Sequence, residues 1–229
     1  MSKTHTPRPL RVGLSLSIAI AAALIALVAA GGPAALANGD RGHDGKGSIS
    51  KKELTLRNDM RKLWEDHITW TRLAIISLTT DAPDTQVTVG RLLANQDDIG
   101  DAIKPFYGTA AGEELSRLLR EHILIAADLI AAAKKGDAEA VSSEQARWQA
   151  NADEIATFLS SANPRSWKPL EMKAMMRRHL RLTTNEVVAR LQKDWAADVR
   201  AYDRIHVQIL HMADMLSDGL VAQFPGRFR

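Results

Sequence analysis

Four histidines of this 229-residue chain, His67, His122, His179 and His206, each fall in the middle of an otherwise apolar helical stripe. An amphipathic helix turns such a stripe away from water, and an imidazole carried inside needs a partner for each ring nitrogen or a metal ion on one of them. One buried histidine is ordinary. Four, on four separate helices, point to an interior that holds a polar or metal-binding centre as well as a hydrophobic core.

The neighbours of these histidines define the chemistry open to them. At about 100° per residue, His67 shares its face with Met60, Leu63, Trp64 and Thr71, and His122 shares its face with Leu115, Leu119, Ile125 and Ala126. His179 lies with Met172, Met176, Thr183 and a carboxylate, Glu186. His206 lies with Val199, Tyr202, Ile205 and Ile209, with Asp203 on the flank. Imidazoles beside carboxylates suit zinc, iron, manganese or copper. The expected ligand set is therefore His67, His122, His179 and His206, with Glu186 and Asp203 as ligands or supporting groups. Asp203 and His206, at i and i+3, can converge on one ion. His179 and Glu186 are separated by a helical rise of about 10.5 Å, long for two ligands of one ion, so Glu186 reads as a hydrogen-bond acceptor, a ligand to a second ion, or a base beside the centre.

Thr71, Asn95, Asn151, Thr183 and Tyr202 stand on or beside the same faces. Hydroxyls and amides of this kind orient ligating imidazoles through the nitrogen that faces away from the metal. The paired Glu-x-x-His motifs of ferritin-like bundles are missing, and no histidine is followed four residues later by His or Glu, so any site is assembled from about one residue per helix. Met172, Met175 and Met176 read as flexible core filler, with a copper thioether site as the alternative. The competing reading of the whole pattern is a structural network, in which buried histidines hydrogen-bonded to Asn and Thr only set helix register.

Six helical stretches must position these groups. They run from about Lys52 to Thr79, from Asp84 to Phe106, from Ala110 to Lys135, onward from Gly136-Asp137 to Ser161, from Pro169, and from Asp194 to Phe224. The breakers between them are Asp81-Ala82-Pro83-Asp84, Tyr107-Gly108, Gly136-Asp137 and Asn163-Pro164, and Pro169 is favoured in a first helical turn. No stretch alternates like a strand, and no internal repeat of fixed period stands out. Short connections imply antiparallel neighbours, so the expected fold is an all-α, up-and-down bundle over residues 51–229.

Residues 1–37 read as an export signal. Lys3, Arg8 and Arg11 precede an apolar run from Val12 to Ala30, and Ala35-Leu36-Ala37 offers a small-residue cleavage site. Left uncleaved, residues 12–30 are long enough to serve as a membrane anchor. Residues 38–50, rich in Gly, Asp and Lys, read as a flexible linker. The leader also carries the net basic charge of +3, leaving the remainder balanced and without the footprint of a nucleic-acid binder. The chain has no cysteine, which excludes disulfides, iron–sulfur ligation and thiol catalysis. No nucleophile or phosphate-loop motif appears.

The segments Leu63–Arg72, Lys104–Gly108, Trp148–Ile155 and Tyr202–Asp214 resemble a family of exported bacterial all-helical proteins. Members are sometimes labelled glycosyltransferase or acetylglutamate kinase, for which these residues supply no motif. The resemblance implies export and an all-helical fold over most of the chain and brings no catalytic residues with it. The expected protein is an exported helical bundle with a buried histidine and carboxylate centre that binds a metal; the alternative is a non-catalytic structural or interaction module of the cell envelope.

Overall fold

The computed structural model describes residues 49–229, so the expected export signal and nearly all of the linker lie outside the described residues. Six long helices follow: α1 Lys51–Thr80, α2 Thr85–Tyr107, α3 Thr109–Lys135, α4 Ala138–Ala162, α5 Pro169–Gln192 and α6 Trp195–Gln223, with a final 3-10 turn at Pro225–Arg227. Each begins and ends within a few residues of its sequence signals. Ser50, Asp137 and Asp194 accept backbone N–H bonds at the starts of α1, α4 and α6, satisfying donors that a helix cannot pair internally. Among the described residues there is no strand, and no helix is long and apolar enough to cross a membrane.

Consecutive helices pack side by side and α6 closes back on α1, giving a ring of three helical hairpins, α1–α2, α3–α4 and α5–α6. The link between α2 and α3 is Gly108 alone, at φ +86°, a conformation that costs a side-chain-bearing residue much more than glycine. This abrupt turn lets α2 and α3 cross with their backbones nearly touching. A Cβ placed on Gly100 would lie 2.5 Å from the Gly112 carbonyl oxygen, and one on Gly112 would lie 2.6 Å from that of Gly100.

Within a core to which all six helices contribute, the odd-numbered helices place their residues in matching layers. Seven residues before each inner histidine stand Met60, Leu115 and Met172, and three before stand Trp64, Leu119 and Met176, all buried in one cluster. Eight residues after, Ile75, Ile130 and Val187 pack on one another as a separate apolar layer. An approximate three-fold repetition of the hairpin thus runs through the bundle. Its spacing explains why the sequence does not declare it: His122 follows His67 by 55 residues and His179 follows His122 by 57, with few identical residues between units.

Candidate functional site

Three of the four histidines meet in one layer at the centre of the bundle. His67 from α1, His122 from α3 and His179 from α5 are each at most 4% exposed. The His179 ring centroid lies 6.0 Å from that of His67 and 6.2 Å from that of His122. The repeated layering brings them there, since each occupies the same height on the inner face of its helix.

Each ring is held through Nδ1 by an amide on the next helix. His67 Nδ1 lies 3.2 Å from Gln96 Oε1, His122 Nδ1 lies 2.8 Å from Asn151 Oδ1, and His179 Nδ1 lies 3.0 Å from Gln208 Oε1. The sequence separation is 29 residues in every case. Two of these amides have no freedom to turn over. Asn151 Nδ2 donates to the Leu118 carbonyl, and Gln96 Nε2 donates to the Leu92 carbonyl and to Asn95 Oδ1. A carbonyl only accepts, so the NH₂ must face it and the amide oxygen must face the imidazole. Nδ1 of His67 and His122 therefore carries the proton and donates it, and Nε2 is left with a bare lone pair. Gln208 places its oxygen on His179 in the same way, while its own amide nitrogen finds no partner.

No described hydrogen bond reaches Nε2 of the three rings, and that of His122 is sealed from water. Two small cavities lie against them. One, of about 30 Å³, is walled by apolar side chains with Met60, Met176 and Met212 among them; the other, of about 40 Å³, runs toward Thr71, Thr183 and Thr184. All three histidines border both cavities.

Burial sets the protonation state. Removal from water pushes His67 down to about 3, and the neighbouring His179 and His122 add to the shift against the opposing bond to Gln96. Burial and the adjacent His179 likewise push His122 down to about 3, against the bond to Asn151. His179 is lowered too, by burial, against the bond to Gln208. The layer is thus a set of neutral imidazoles, the form that ligates metals. As they stand, the rings are spread wider than a bound ion would draw them, and among the described residues no group of three His, Asp or Glu has the spacing of a closed site.

The structure does not bring the remaining expected ligands to this layer. His206 sits at the surface, its Nε2 2.9 Å from Glu65 Oε1 and its ring beside Tyr202. Asp203 is exposed on the same outer face. The reason is the rotation of α6. Its buried side runs through Asp198, Ala201, Ile205, Gln208 and Met212, which turns Val199, Tyr202 and His206 outward and Gln208 inward. A stripe drawn through apolar residues alone passes over a glutamine, so Gln208 escapes notice; the constant separation of 29 residues is the signal that finds it and Gln96.

Glu186 is fully buried but belongs to an ionic cluster. Arg72 Nη1 donates to Glu186 Oε1 at 2.6 Å and to Asp198 Oδ1 at 2.9 Å, and Arg190 joins Asp198 at 3.1 Å. Arg72 and Arg190 are in turn covered by the rings of Tyr202 and Trp195. Burial pushes the Glu186 carboxyl up to about 7, outweighing the attraction of Arg72. Thr71 and Thr183 bond back to the His67 and His179 carbonyls and border the second cavity. Asn95 supports the layer indirectly, accepting from Gln96 and donating to the Leu63 carbonyl. Asn151 alone of the expected orienting groups bonds an inner imidazole directly.

The chain matches no family model, no curated protein and no solved structure.

Proposed function

We propose that this protein is an exported metal-binding bundle whose ion is held by Nε2 of His67, His122 and His179. The observation that carries the reading is the orientation of the rings. Each Nδ1 is engaged by an amide on a neighbouring helix, no described hydrogen bond reaches Nε2 of any of the three, and that of His122 is shut off from water. Amide or carbonyl acceptors on the far nitrogen are the standard means of presenting a histidine to a metal. Without an ion, buried lone pairs go unpaired, and leucine at the same positions would pack at lower cost.

Tetrahedral coordination at about 2.1 Å would place ring centroids roughly 5 Å apart. The His67–His179 and His122–His179 pairs would each have to draw in by about 1 Å from the present 6.0 and 6.2 Å. The cavities on both sides of the layer leave room for that contraction. Gln96, Asn151 and Gln208 take the orienting role.

The bonds to Gln96, Asn151 and Gln208 also favour a second reading, in which the histidines only lock the hairpins in register. Titration of the untagged protein with Co(II), Zn(II) and Cu(I), followed by calorimetry and melting temperature, separates the two. A metal centre gives one ion per chain, a rise in melting temperature, and a loss of affinity of about 10- to 100-fold in Asn151→Leu. The structural reading gives no saturable binding with any of the three ions.

A further inference from the structure

We infer that the ion this layer is built to hold is monovalent copper, with a methionine thioether available as a further ligand; the inference rests on the three-histidine centre proposed above. The first argument is charge. An imidazole binds a metal in its neutral form and brings no charge to it, and no carboxylate borders either cavity. Glu186, the one fully buried carboxylate on α5, is held by Arg72 instead. A divalent ion here would keep its whole charge in an apolar interior, and the cost of burying an ion grows with the square of its charge. A monovalent ion reduces that cost to roughly a quarter.

The second argument is the donor set. Three imidazoles satisfy an ion content with low coordination, whereas magnesium, calcium and manganese call for sets of carboxylate and carbonyl oxygens, and the side-chain oxygens bordering the cavities are the hydroxyls of Thr71, Thr183 and Thr184. Thioethers select copper in its reduced state. Met60 from α1, Met176 from α5 and Met212 from α6 border the same cavity as the three imidazoles. Met176 precedes His179 by about one helical turn, and its long unbranched side chain has the rotamer freedom to turn a thioether toward the layer.

The test is a parallel anaerobic titration of the untagged chain with Cu(I), against a chromogenic competing chelator, and with Zn(II) and Co(II). The expected result is one Cu(I) per chain, bound at least about 100-fold more tightly than either dication, with nitrogen and sulfur scatterers in the copper absorption spectrum. Replacing Met60, Met176 and Met212 together by leucine conserves volume. That variant is expected to weaken Cu(I) at least about 10-fold, to lose the sulfur signal, and to leave Zn(II) and Co(II) affinity unchanged. Zn(II) or Co(II) binding as tightly as Cu(I) overturns the assignment of copper and leaves the three-histidine centre standing. Tight Cu(I) binding with no sulfur signal and no effect of the leucine replacements overturns the thioether ligand. Failure of all three ions to bind a folded chain overturns both the inference and the metal centre.

Discussion

Lowering the pH from 7 to 5 is expected to destabilise the metal-free protein through its histidine layer. His67 and His122, ordinarily near 6.5, are held at about 3 by burial, so at pH 5 they stay neutral in the fold and gain a proton only when the chain unfolds. The folded state binds fewer protons across the window from 3 to 6.5. Stability is therefore complete above 6.5 and lost as the pH falls. At pH 5 each of the two favours the unfolded chain by about 2 kcal/mol, or about 4 kcal/mol together. His179 is lowered in the same direction and acts with the same sign.

Glu186 works against this. Its carboxyl is raised from 4.5 to about 7, so the folded state binds more protons between those values, and acidification stabilises the fold by about 2 kcal/mol over the same range. The net loss from these three groups is about 2 kcal/mol, to which His179 adds, in a domain whose total stability is expected to be about 5–15 kcal/mol. Urea unfolding at half-unit pH intervals measures it. In Glu186→Gln the opposing contribution disappears and the acid dependence should steepen, whereas His122→Leu should reduce proton uptake on unfolding by about one near pH 5.5. A stability that stays flat or rises from pH 7 to 5 in Glu186→Gln would refute the claim that burial keeps the layer neutral.

Three further outcomes follow from the packing. Arg72→Met strands the carboxylates of Glu186 and Asp198 with only Arg190 nearby and should cost about 3–5 kcal/mol in denaturant titration, with Arg72→Lys recovering part of the loss. Gly100→Ala drives a methyl to 2.5 Å from the Gly112 carbonyl and should destabilise the α2–α3 pair by about 1–3 kcal/mol in thermal melts. Gly90, which has nothing within 4 Å of an added Cβ, provides the control: its alanine variant should be stabilised by up to about 1 kcal/mol. His206→Ala removes a surface contact to Glu65 and a ring contact with Tyr202, so stability should change by less than about 1 kcal/mol and metal stoichiometry should stay as it is in the parent chain.

Much of this architecture was legible in the sequence because its signals are local. The stops at Gly108, Gly136 and Asn163, the cap at Asp137 and the proline at Pro169 act within one or two turns, and six helices of the expected lengths follow from them. The burial of His67, His122 and His179 was equally legible, because on α1, α3 and α5 the apolar stripe and the buried face coincide. On α6 they do not. Ile205 and Ile209 belong to either possible face, and the choice between Gln208 and His206 turns on a hydrogen bond that only the packed α5 supplies.

What the chain determined by itself, then, is the helices and the burial of the imidazoles on α1, α3 and α5, since period and capping are properties of neighbouring residues. Tertiary structure decided the rest. It brought three histidines rather than four to one layer, set Gln96, Asn151 and Gln208 behind them, and drew Glu186 away to Arg72. The reason is that height along a bundle and rotation about a helix axis are fixed by how hairpins stack, through contacts between residues 29 to more than 100 positions apart. Each of those contacts joins two different helices, so none can be read from the pattern of one helix alone.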